Sequence, residues 1–119
     1  MKIAIPTTGN RGLDDIVSEH FGRAPTFTIV DSDTMEFRVI ENTSEHMGGA
    51  GKPPEIMQRE GVDIMLCSGL GFRAIQMFEN LGIDVFVGAH GTVRDIVEMW
   101  KKGKLQKATS EHGCRGHGH

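Results

Sequence analysis

The side chains able to hold a metal fall into two groups in this sequence. His20, His46, Cys67 and His90 are spread through the first ninety residues, while His112, Cys114, His117 and His119 crowd into the last eight, HGCRGHGH. Imidazole nitrogen and thiolate sulfur are donors for iron, zinc and copper. His20 has the most telling neighbours, in the stretch VSEHFGRAPTF over 17–27. Gly22 allows a backbone to come close to a ligand, and Arg23 balances an anionic one. A second stretch, SGLGFRA over 68–74, sets Gly69 and Gly71 at a turn into a helix, where backbone N–H groups meet anions. Each signal has a plainer reading. His20 is then a solvated loop imidazole, and Cys67 a small apolar residue ending a strand. His46 and His90 have no recognisable ligand spacing, and SGLG is simply a tight turn. The tail matches no standard structural zinc spacing, but short Cys/His-rich tracts do bind divalent metal.

These residues need elements to position them. KIAI (2–5) reads as a buried strand. TFTIVD (26–31) and EFRVIE (36–41), joined by SDTM, read as an antiparallel hairpin. Pro54 suits the first turn of a helix that Gly61 ends. VDIMLC (62–67) and IDVFVG (83–88) read as strands. Between them Leu70, Ala74, Phe78 and Leu81 keep helical spacing, with Gly82 as the terminator. TVRDIVEMWKKG (92–103) is the clearest helix, with Thr92 and Asp95 as a capping pair and Val93, Ile96, Val97 and Trp100 on one face. The predicted order is β-β-β-α-β-α-β-α over residues 1–103, with 104–119 a flexible Cys/His-rich tail.

With the first three strands as a meander and the later two parallel to the first, four connections meet at one edge of the sheet. They are 7–25, 42–53, 67–71 and 88–92, and they carry His20, His46, Cys67 and His90. This is the carboxyl edge, where open α/β sheets bind ligands. The final helix delivers the tail to the opposite edge. Its sixteen residues extend at most about 50 Å, enough to return.

The motifs SEHFGRAPTF, EGVDIMLCSGLGFRA, LGIDVFVGAHGTV and the Cys/His-rich end, taken together and in order, resemble the dinitrogenase iron–molybdenum cofactor biosynthesis family, which includes NifX and the C-terminal domain of NifB. The resemblance covers residues 1–103. It implies a ribonuclease H-like three-layer α/β fold, with a five-stranded mixed sheet flanked by helices. It also implies cargo in the form of iron–sulfur or iron–molybdenum cofactor precursors, with His20 as the ligand. Phe72 departs from the family pattern, where a proline is common.

Several function classes are disfavoured. Net charge is −3, with no basic stripe for nucleic acid. The first strand has no carboxylate to hold catalytic divalent metal as nucleases do. The apolar start is too short for a signal peptide or a membrane span, and the thiols suit a reducing compartment, so a cytoplasmic protein is expected. Asp14, Asp15 and Glu19 read as solvated loop acids, and no Ser–His–Asp set is apparent. The expectation is a metal-cluster carrier with donor and acceptor proteins as partners, not an enzyme. Two alternatives are a simple metal-binding or regulatory module using the tail, and an enzyme holding a small anion or nucleotide at SGLG.

Overall fold

The computed structural model describes residues 1–42 and 53–109. Strand β1, Lys2–Thr7, is buried from Ile3 onward on both faces. A strand is covered on both sides only at the centre of a layered sheet, and β1 lies there. Strand β2, Thr26–Asp31, pairs antiparallel with β1 from Lys2↔Asp31 to Thr7↔Thr26. Strand β3, Phe37–Glu41, pairs antiparallel with β2. The expected hairpin therefore forms. The Asp31 carboxylate holds its turn by accepting from the backbone N–H groups of Asp33 and Thr34.

On the other side of β1, β4 (Ile64–Leu66) and β5 (Asp84–Val87) continue the sheet in parallel. The sequence predicts five strands, but the sheet has six, ordered β3-β2-β1-β4-β5-β6. Strand β6, Gln106–Ala108, pairs antiparallel with β5 and falls inside the stretch predicted to be tail. Leu105 and Ala108 are buried and the two residues between them exposed. Two apolar positions in so short and polar a run give no usable periodicity.

Helices α1 (Pro53–Arg59) and α2 (Phe72–Asn80) cover one face of the sheet, and α3 (Val93–Lys101) covers the other. Met57, Ile75 and Phe78 meet Ala4, Phe27, Ile29, Met65 and Val85. Val93, Ile96 and Val97 meet Ile3, Ile5, Val30, Ile64 and Leu66. Residues adjacent along each strand thus enter different cores, as the pleat requires. Thr92 caps α3 as predicted: its hydroxyl accepts the Asp95 N–H at 3.2 Å. Gly82, with φ of 78°, ends the α2 segment in the left-handed conformation that glycine adopts without strain.

Strands β1, β3, β4 and β5 all point the same way. The connections 7–25, 67–71 and 88–92 therefore meet at one edge, and the described end of 42–53 leaves from it too.

Candidate functional site: a cleft at the carboxyl edge

The loop after β1 is built around Asp15, which is fully buried. This corrects the expectation of a solvated acid. Its carboxylate accepts from the Ile16 N–H at 2.8 Å, the Thr8 hydroxyl at 2.9 Å and the Arg11 N–H at 3.0 Å. The Arg11 guanidinium stands 3.4 Å away. Burial pushes the carboxyl pKa up, but the Arg11 and Ile16 N–H groups, the Thr8 hydroxyl and the Arg11 charge outweigh it and hold it below its ordinary value. Main-chain bonds then tie this loop to the start of α3: Val17 N–H to Gly91 O at 3.1 Å and Val93 N–H to Asp15 O at 2.9 Å. Gly12 is required here. Its φ is 69°, and a Cβ on it would run into the Phe37 ring.

Further along the same loop, Phe21–Arg23 forms a 3-10 turn. Phe21 anchors it, with its ring 5.5 Å from Phe27 and 5.6 Å from Phe78. Such aromatic pairs fix geometry as well as bury area. His20 and Arg23, at the two ends of the turn, are exposed. Asn42, just past β3 and buried, donates from its side chain to Ala24 O at 2.8 Å and to Gly22 O at 3.5 Å.

Facing this turn is the connection from β4 to α2. Its base is held by three bonds to the β5–α3 connection: Ala89 N–H to Cys67 O, Gly88 N–H to Ser68 O, and the Ser68 hydroxyl to Ala89 O at 2.9 Å. Gly71 is the N-cap of α2 and offers no side-chain cap, and the first turn carries no acidic residue. The leading N–H groups of α2 therefore stand at a cleft with the positive end of the helix dipole. The cleft has a volume of about 520 Å³ and lies between residues 20–23 and residues 69–71 with Ala74. No carboxylate is among the lining residues.

The three glycines of the cleft differ from Gly12. Gly22, Gly69 and Gly71 have no positive φ, and a Cβ on any of them would meet open space. Neither the backbone conformation nor the protein's own packing calls for glycine there. What the missing side chains leave is bare backbone facing the cleft.

The structure thus brings His20, Gly22, Arg23, Gly69 and Gly71 together. Leu70 and Ala74 join them as lining residues that the sequence had placed only in a helix pattern. Cys67 does not join them. It is a core residue, 1% exposed, with Sγ 3.8 Å from Phe86 O. Burial pushes its thiol up to about 12, against a weaker downward pull from the Gly69 N–H. The sequence groups Cys67 with the cleft residues, but the structure places it in the core, outside the cleft lining. His90 is exposed on the β5–α3 connection, outside the cleft lining. His46, His112, Cys114, His117 and His119 lie outside the described residues. Among the described residues, no three His, Cys, Asp or Glu side chains come together to hold a metal ion, and no helix is long and apolar enough to cross a membrane. Asp15 and Asn42 escaped the sequence because the contacts that bury them, with main-chain groups above all, are fixed only by the tertiary fold.

The fold and this edge define the class first: a mixed α/β domain with a cleft where the parallel strands end. Residues 1–103 match the dinitrogenase iron–molybdenum cofactor family, and the chain belongs to it. It is 33% identical over 112 residues to an uncharacterized protein of Methanocaldococcus jannaschii, covering 90% of this chain and 91% of the relative. The apo form of the orange protein from Desulfovibrio gigas is similar in structure, with a TM-score of 0.80 at 29% identity, covering 90% of this chain and 92% of that one. The crystal structure of PH0822 gives a TM-score of 0.75 at 36% identity, covering 90% and 96%. Family membership supports a role in iron–molybdenum cofactor biosynthesis.

Proposed function

We propose that this protein carries a preassembled iron–sulfur or iron–molybdenum–sulfur precursor in the cleft between residues 20–23 and 69–71, and passes it from a donor protein to an acceptor. The observation that carries the reading is the set of three glycines at which no described neighbour and no backbone angle excludes a side chain, lining the same cleft as an imidazole and a guanidinium. A metal–sulfur cluster with net negative charge needs hydrogen-bond donors and a cation. N–H groups at Gly71 and the uncapped start of α2, together with Arg23, supply both. His20 supplies one coordinate bond from a ring nitrogen to a metal of the cluster.

A donor set with a single described metal ligand fits a carrier. A cluster that brings its own sulfide needs few protein bonds, and a cargo held by one imidazole and several hydrogen bonds is free to leave. Cys67 has no part in this reading, since it lies in the core and outside the cleft lining. The reading is of a carrier and not an enzyme. The strand order, with β2 reversed beside β1, supports the ribonuclease H-like assignment.

The test is anaerobic reconstitution of the full chain with iron, sulfide and molybdate, followed by visible spectroscopy and metal analysis. Wild type acquires a protein-bound chromophore, and His20→Ala retains less than about a tenth of it, as expected when the one coordinate bond among many weaker contacts is lost. A wild-type protein that stays colourless contradicts the reading. Equal uptake by the variant removes His20 from it.

A further inference from the structure

The turn that presents His20 and Arg23 is short, and its own bonds are few. Arg23 N–H donates to His20 O at 3.0 Å, and Ala24 N–H to Phe21 O at 3.3 Å. Phe21 fixes one side by packing between Phe27 and Phe78. The other side is fixed from a distance in sequence. Asn42 continues the β2–β3 pairing one step beyond β3, its N–H donating to Pro25 O at 3.0 Å. From there its side-chain amide reaches back to the carbonyls of Ala24 and Gly22. Only the NH2 end of the amide suits two carbonyl oxygens, so the orientation of the group follows from its surroundings. Asn42 is 6% exposed, and water does not readily replace it.

We infer that Asn42 is a positioning residue for the cleft. By clamping the Gly22 and Ala24 carbonyls it sets the path of the backbone through Arg23 and the separation between that turn and the glycines of the β4–α2 connection. This rests on the carrier reading insofar as the positioned groups are those that hold cargo. The physical warrant is the cost asymmetry of buried hydrogen bonds. Removing the donor leaves buried carbonyl oxygen without its partner, and the turn relieves this by moving toward water. Phe21 keeps the turn attached to the core, so the movement is confined to its exposed half, where Gly22 and Arg23 lie.

The experiment uses the full chain without cargo and reads NMR relaxation for wild type, Asn42→Ala and Asn42→Asp. In Asn42→Asp a carboxylate, which only accepts, faces the two carbonyls. Asn42→Ala, which adds no charge, serves if that variant does not fold. Backbone order parameters at Gly22, Arg23 and Ala24 fall from the rigid range near about 0.85 to below about 0.6, while those at Ile5 and Leu66 stay unchanged. A merely structural role lowers the melting temperature without loosening this turn, so unchanged order parameters at Gly22–Ala24 overturn the inference even where stability falls. Reconstitution with iron, sulfide and molybdate gives the second reading. The variants take up roughly tenfold less cargo than wild type at the same concentration, the effect of losing one buried hydrogen bond to the site. A loosened turn with wild-type uptake overturns the positioning of cargo. A colourless wild type contradicts the carrier function alone, and the relaxation result still decides what Asn42 does.

Discussion

The Asp15 carboxylate accepts from two backbone N–H groups and one hydroxyl, with a guanidinium beside it, in a loop whose regular structure is two short turns of 3-10 helix. A buried carboxylate satisfied in this way replaces regular structure as the organiser of the chain. Its folded pKa lies below its ordinary value of 3.8. The stabilisation it provides is therefore fully present above the unfolded value and is lost as the pH falls through the folded one. Asp15→Asn keeps the shape but removes acceptors, at a cost of about 2 kcal/mol near neutrality. The difference in melting temperature between wild type and this variant narrows once the pH drops below 3.8. A constant difference down to strongly acidic pH contradicts the account of this loop. Nothing in the residues flanking Asp15 distinguishes it from Asp14, which is exposed. Its burial comes from contacts with Thr8 and Arg11 that require the loop to be folded already.

At the scale of elements, the connection from β4 to α2 forms one wall of the cleft and the turn at residues 20–23 the other. Gly69 and Gly71 were recognisable in sequence because glycines just before a helical pattern mark a place where backbone is presented. The caps of α3 and the terminator of α2 were legible for a similar reason: cap chemistry is local, needing only residues a few positions apart. Cys67 was misread because a cysteine at the last position of a strand points to one face or the other, and only the pleat decides which. Here Met65 and Cys67 share the face covered by α1 and α2. The cleft glycines give a prediction that separates folding from binding. Gly69→Ala and Gly71→Ala meet no clash and no forbidden backbone angle. Gly69→Ala leaves the fold intact and raises stability by about 0.4–1 kcal/mol through the unfolded state, whereas Gly71→Ala offsets that gain because alanine caps α2 less well than glycine. Each also places a methyl group where cargo approaches, and uptake in reconstitution falls. Stability lost with Gly69→Ala, measured by denaturant titration, contradicts the claim that the fold has no use for glycine at that position.

At the scale of the molecule, strand directions were legible because strand and helix alternate in the second half and a short hairpin opens the first. Those two patterns are enough to send four strands the same way and to gather their connections at one edge. The sixth strand was not legible. β6 pairs with β5 through main-chain bonds and buries little more than Leu105 and Ala108. Its direction has a functional bearing: β6 runs opposite to β5, so Ala108 pairs with Val85 near the start of β5, away from the cleft. The described residues end at Thr109, on that side of the molecule. The cleft and the terminal Cys/His residues are two candidate destinations for metal. Anomalous diffraction at the iron and molybdenum edges, from crystals of the full chain reconstituted anaerobically, distinguishes them directly. The carrier account predicts metal between residues 20–23 and 69–71, within bonding distance of the His20 ring. Metal held by the terminal Cys/His residues, with none in the cleft, contradicts it.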